Sequence, residues 1–197
     1  MRTRLMPDWF PLLPFAVSFA LGVWAFPRQP ERVPVHWGAD GQPDRWGSPA
    51  EGLFSMPGML LFMSLLILAV SRAQPAATHL LRTVIFGLGL LALFSTAVQA
   101  FGGDGFRVPM IALGSLFLLT GTALGQTPPS GLSGPQLSPT TLRRLGTAWT
   151  LFGVILILVS LLAPVPGLIT ATLFLGLIGV VLFLFLGVRR DRLRSEG

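Results

Sequence analysis

Six stretches of this chain run the length of a bilayer without a single Asp, Glu, Lys or Arg: roughly 9–26, 53–71, 83–101, 108–125, 145–163 and 167–188. A span needs about 20 mostly apolar residues. In lipid every backbone amide must find its partner within the chain, so such stretches fold as helices. Composition agrees. Only 11% of the 197 residues are charged, against about 25% in a soluble domain. The expected fold is an all-α membrane protein of six helices. Pro164-Val165-Pro166 separates the last two runs, and their combined length predicts a helical hairpin rather than one kinked helix. The first run follows Arg2 and Arg4, as in a signal peptide. Asp8, Pro11 and Pro14 interrupt that pattern and no A-x-A site follows, so it reads as a retained first helix.

Orientation rests on arginine, because lysine is absent. With six spans both termini share one side. Arg2, Arg4, Arg72, Arg82, Arg143, Arg144, Arg189, Arg190, Arg192 and Arg194 fall there, against Arg28, Arg32, Arg45 and Arg107 on the other. The positive-inside rule then predicts cytoplasmic termini in a bacterial inner membrane and an outward loop between the first two spans. The net charge of +6 is concentrated at membrane edges, where anionic lipid attracts it. It therefore does not point to nucleic acid, and the expected surroundings are a lipid bilayer. There is no cysteine, hence no disulfide framework.

The outward loop, 27–52, is the polar island of the chain. It holds Glu31, Asp40, Asp44 and Glu51, Arg28, Arg32 and Arg45, His36, two tryptophans and five prolines. The prolines forbid a long helix and favour a folded cap. Val33-Pro34-Val35 reads as extended chain and Gly38-Ala39-Asp40-Gly41 as a turn. His36, Asp40 and Asp44 have the spacing H-x3-D-x3-D. An imidazole and two carboxylates suit a divalent metal such as zinc. The same groups equally make a His–Asp hydrogen bond that locks the loop, with Asp40 capping its own turn. Trp37 and Trp46 serve as interfacial anchors or as a small stacked core, and Arg45 pairs with a loop acid.

Elsewhere, Gln126–Arg144 is rich in Pro, Ser and Gly and reads as a linker. Ser138-Pro139 opens a short helix leading into the fifth span. The arginine-rich C-terminus reads as a headgroup anchor. Ser95, Thr96 and Gln99 form the most polar patch within a span and read as interhelical hydrogen-bonding groups. Ala92, Thr96 and Ala100, then Gly121 and Gly125, sit at helix-packing spacing. The spans carry no ionisable side chain, which disfavours a charge-coupled transporter. No HExxH, GxSxG or Walker loop is present, so no catalytic residue is assigned.

The run Val33–Ser48, VPVHWGADGQPDRWGS, resembles the motif P-x-H-W-x3-G-x2-D-x-W-G-S of the SdpI-like bacterial membrane proteins, where it lies between the first two helices of an N-terminal domain of unknown function. His36, Trp37, Gly41, Asp44, Trp46, Gly47 and Ser48 match in order. The likeness covers the first two spans, so 1–71 is expected to be a motif-bearing domain and 72–197 a four-span region with a basic tail. The resemblance implies a non-enzymatic immunity-type protein. Its loop would meet a peptide toxin or envelope ligand outside, and its arginines a cytoplasmic regulator. His36, Trp37, Asp40, Gly41, Asp44, Arg45 and Trp46 would bind the ligand or organise the loop. Two other classes stay open: a membrane enzyme with a metal on His36, Asp40 and Asp44, and a carrier for small neutral solutes using the polar helix patch.

Overall fold

A computed structural model of the chain describes residues 7, 9–73, 77–127 and 138–195. It contains six membrane-length apolar helices and is an all-α, multi-pass membrane protein. The helices are α1 (Leu13–Ala25), α2 (Met56–Ala73), α3 (Thr78–Phe101), α4 (Arg107–Gln126), α5 (Pro139–Leu162) and α6 (Pro166–Ser195). Between α1 and α2 stand two short strands, β1 (Val33–Trp37) and β2 (Pro43–Gly47).

Sequence chemistry explains where the helices stop. The α3 helix ends at Gly102, whose φ of 75° lies in the left-handed region that favours glycine. The Asp104 carboxylate then accepts from the Phe106 and Arg107 amides at 3.0 and 2.8 Å, satisfying donors that the first turn of α4 leaves open. At the expected break, the Ala163 amide still bonds the Val159 carbonyl at 2.8 Å. Pro164 has no amide to continue the ladder, and Pro166 occupies the first turn of α6, where none is needed. The two helices thus form the hairpin expected from their length.

The helix expected to open at Ser138-Pro139 does so, and it runs unbroken into the fifth span as the first turns of α5, to Leu162. Ser138 is its N-cap, with its hydroxyl accepting from the Thr141 amide at 3.2 Å. The Asp191 carboxylate accepts from the Ser138 amide and hydroxyl and from the Thr141 hydroxyl, at 2.9, 3.2 and 3.2 Å. One acid near the end of α6 therefore ties down the start of α5, a role hidden in what reads as a basic tail. Ser138→Ala is expected to cost about 1 kcal/mol, a usual N-cap loss, measured by chemical unfolding in micelles. Residues 128–137 of the preceding connection lie outside the described residues.

Two buried clusters hold the bundle. Phe15, Leu60, Ile85 and Ala92 join α1, α2 and α3, so the expected 1–71 unit shares its core with α3. Phe106, Phe117, Leu145, Phe152, Leu156 and Ile169 join α4, α5 and α6. Between α4 and α5 the contact is made by glycines. A Cβ on Gly121 would stand 2.7 Å from the Gly146 carbonyl oxygen, and one on Gly153 2.5 Å from that of Gly114. Without a hydrophobic drive between helices in lipid, such close backbone approach is what packs them. Of the polar patch of α3, Thr96 makes the expected interhelical bond, Gln99 bonds strand β1, and the Ser95 hydroxyl is buried without a partner among the described residues. The Thr96 and Ser18 hydroxyls meet at 2.8 Å across α1 and α3, a contact worth about 0.6 kcal/mol in a membrane.

Candidate functional site

The strands form an antiparallel hairpin, Val33 opposite Gly47, Pro34 opposite Trp46, His36 opposite Arg45 and Trp37 opposite Pro43, with irregular register on either side of His36. Its turn is built as the sequence suggests. The Gly38 amide donates to the Gln42 carbonyl at 2.8 Å, and the Gly41 amide to the Gly38 carbonyl at 2.9 Å. Gly41 takes φ 76°. The Asp40 side chain accepts from the Gln42 amide at 3.0 Å, so Asp40 caps its own turn.

A two-stranded hairpin is marginal alone, and this one is fastened to the bundle along one face. Buried Val33 lies against Gly52, where a Cβ would come within 2.7 Å of it. The Gln99 amide nitrogen at the end of α3 donates to the Pro34 carbonyl at 2.6 Å. Trp37 packs on the Phe106 cluster, its ring so close to Gly105 that a Cβ there would sit 2.0 Å away. At the turn, Gly41 rests on Pro166. The cap thus touches the ends of α2 and α3 and the α5–α6 break.

The opposite face is open. His36 Nδ1 and Asp44 Oδ1 stand 2.5 Å apart, with 62% and 51% of their side chains exposed. Since a carboxylate only accepts, the Nδ1 proton lies between them. A neutral ring then presents Nε2 as a free acceptor. Arg45 pairs with Glu51 at 2.5 Å, so the loop acid it was expected to find is Glu51. Arg32 donates to the Trp46 carbonyl at 3.3 Å. Trp46 itself is half exposed.

The seven residues picked out in the sequence therefore divide. His36, Asp44, Arg45 and Trp46 are exposed, with His36 turned to Asp44 and Arg45 to Glu51, Trp37 faces the bundle, and Asp40 and Gly41 make the turn. Among the described residues no three His, Cys, Asp or Glu side chains are grouped to hold a metal ion. His36 and Asp44 are brought together, while Asp40 is engaged with the turn backbone.

Glu51 and Gln99 complete the site, and only Gln99 had been singled out. Glu51 had a signal: Ser48-Pro49-Ala50-Glu51 is a capping-box sequence with proline at the first helical position. The Ser48 hydroxyl indeed accepts from the Glu51 amide at 3.2 Å. Pro57 has no amide for the Leu53 carbonyl, and Glu51–Ser55 just before it forms a π-helical turn.

Residues 13–61 match the family model of a domain of unknown function, DUF1648. The match takes in α1, the whole hairpin and the first turns of α2. No curated protein matches the chain, and no solved structure does.

Proposed function

We propose that this is a non-enzymatic binding protein of a bacterial inner membrane, of the immunity type found among SdpI-like proteins, with both termini cytoplasmic. In this reading the hairpin is an outward receptor for a peptide toxin or another envelope ligand. The observation that carries it is the division of labour between the two faces. Val33, Trp37 and the Pro34 carbonyl fix the hairpin to the bundle, so its exposed face is not needed for docking. An exposed ion pair is worth about 0–1 kcal/mol, so His36 and Asp44 add little to stability. They are arranged as recognition groups are: an exposed polar pair on a rigid support, on a hairpin that also carries the half-exposed Trp46. The family match over 13–61 takes in the whole hairpin together with α1 and the start of α2, which supports reading the hairpin as part of one domain with them. A cytoplasmic regulator would meet the arginine-rich opposite end.

A host lacking this protein and complemented with the double variant His36→Ala/Asp44→Ala tests the reading. Protein level and unfolding midpoint should stay near wild type, while tolerance of membrane-active peptides should fall to that of the deletion. Wild-type protection by the variant would refute it.

The other reading, a metal-dependent membrane enzyme, draws on the same pair, with His36 Nε2 as the available ligand. It requires stoichiometric metal in the purified protein that His36→Ala removes. A solute carrier has less support, because Thr96 and Gln99 are both engaged in holding elements together and of the patch only the Ser95 hydroxyl is left without a partner among the described residues.

A further inference from the structure

Between α5 and α6 runs an open groove of about 560 Å³, walled by Ala148, Leu151 and Ile155 on one side and Thr172, Gly176 and Gly179 on the other. Glycine shapes it. A Cβ on Gly176 would meet the Phe152 ring at 2.0 Å, which brings the helices together, whereas one on Gly179 would meet nothing within 4 Å. An open apolar groove in a membrane protein is filled by lipid by default. The feature that makes this one selective is its end. Helical spacing of 3.6 residues continues the α5 wall, 155–151–148, onto Arg144, and the α6 wall, 176–179–183, onto Arg190.

Arg144 is exposed and has no ion pair among the described residues. Arg190 donates to the Thr141 hydroxyl at 3.3 Å, while its Nε is buried without a partner. The nearby acid, Asp191, makes its hydrogen bonds to Ser138 and Thr141 and offsets part of the Arg190 charge. Two guanidinium groups at the mouth of an apolar channel complement an anionic head on an acyl chain. Arginine is the side chain best suited to phosphate, through its planar fork of donors.

We propose that this groove is a site for one anionic phospholipid, its acyl chain lying along Gly179 and its phosphate held by Arg144 and Arg190. The site lies at the arginine-rich end of the bundle, away from the hairpin, and does not depend on the function proposed for that hairpin.

Native mass spectrometry of the full chain from neutral detergent tests it, with phosphatidylglycerol and phosphatidylcholine of identical acyl chains as probes. Phosphatidylglycerol should be retained in preference, as a single adduct. Arg144→Gln should weaken it about fivefold, the worth of one arginine near an anionic headgroup. Gly179→Phe, which fills the groove, should abolish the preference. Ala148→Phe fills it from the other wall if the first variant fails to fold. Arg189→Gln lies off the groove stripe and should change retention less than about twofold. Equal retention of both lipids overturns the proposal. So does an equal effect of Arg189→Gln and Arg144→Gln, which would mean diffuse attraction. A second copy of the chain seated in the groove, seen as a dimer lost in Gly179→Phe, would overturn it as well.

Discussion

Gly146→Leu is expected to leave little folded protein in mild detergent, and Gly146→Ala to lose about 2–3 kcal/mol, the upper part of the usual range for overpacking. The reason is what a new Cβ would strike. At Gly146 it lies 2.6 Å from the Gly121 carbonyl oxygen and 2.6 Å from the Gly125 amide nitrogen. These are backbone atoms of a facing helix and have no rotamer to adopt. The α4–α5 pair must therefore separate, and Phe117 and Leu156 of the second cluster lose their packing with it. Two effects of opposite sign compete. Replacing glycine by alanine inside a helix gains up to about 1 kcal/mol from backbone propensity, and at Gly146 the clash outweighs that gain. At Gly179, where a Cβ meets nothing within 4 Å, the gain stands alone and Gly179→Ala should be neutral or stabilising. Unfolding of both variants in mixed micelles gives the comparison. Equal stability of the two would mean that the close approach of α4 and α5 is not what holds them.

The glycine seam also shows where sequence reading stops. Gly114 and Gly121 are seven residues apart on α4, and Gly146 and Gly153 seven apart on α5. The small-residue pattern was visible at Gly121 and Gly125, but a spacing on one helix does not say which helix it faces. The six spans were legible because length and the absence of charge are properties of each segment alone. So was the break at Pro164-Val165-Pro166, which follows from missing amides. The cap was legible as a folded, proline-rich turn. That it is a β-hairpin was not, because Pro34 and Pro43 lower strand propensity and only docking on the bundle compensates. The hydrogen bond of His36 to Asp44 was among the arrangements the spacing allowed, and the hairpin, which sets His36 opposite Arg45, brings Asp44 within reach of it. Asp191 was overlooked because its neighbours are arginines, and its partners Ser138 and Thr141 are distant in sequence.

Trp37→Ala is expected to release the hairpin while leaving the six helices folded. Burial of a tryptophan is worth about 3–5 kcal/mol against alanine, and Trp37 is only partly buried, so the lower end applies. A loss of about 3 kcal/mol exceeds what most hairpins hold in reserve. It should raise amide hydrogen exchange across 33–47 by about a hundredfold. Exchange in α4 and α5 should change little, since their cluster keeps Phe117, Leu145 and Phe152, and α3 packs in the other cluster. Trp46→Ala removes a half-exposed ring of the same size and should stay within about 0.5 kcal/mol. Gly105→Ala offers the converse test, because its Cβ would displace the Trp37 ring without removing it. If protection of 33–47 survives in Trp37→Ala, the Gln99–Pro34 bond and the Val33 contact suffice to dock the hairpin. The functional consequence separates support from recognition. Trp37→Ala retains His36 and Asp44 but not the platform that holds them. If the exposed pair must be presented in one geometry to bind, Trp37→Ala loses protection as fully as His36→Ala/Asp44→Ala does, with faster exchange. The double variant loses it with exchange unchanged.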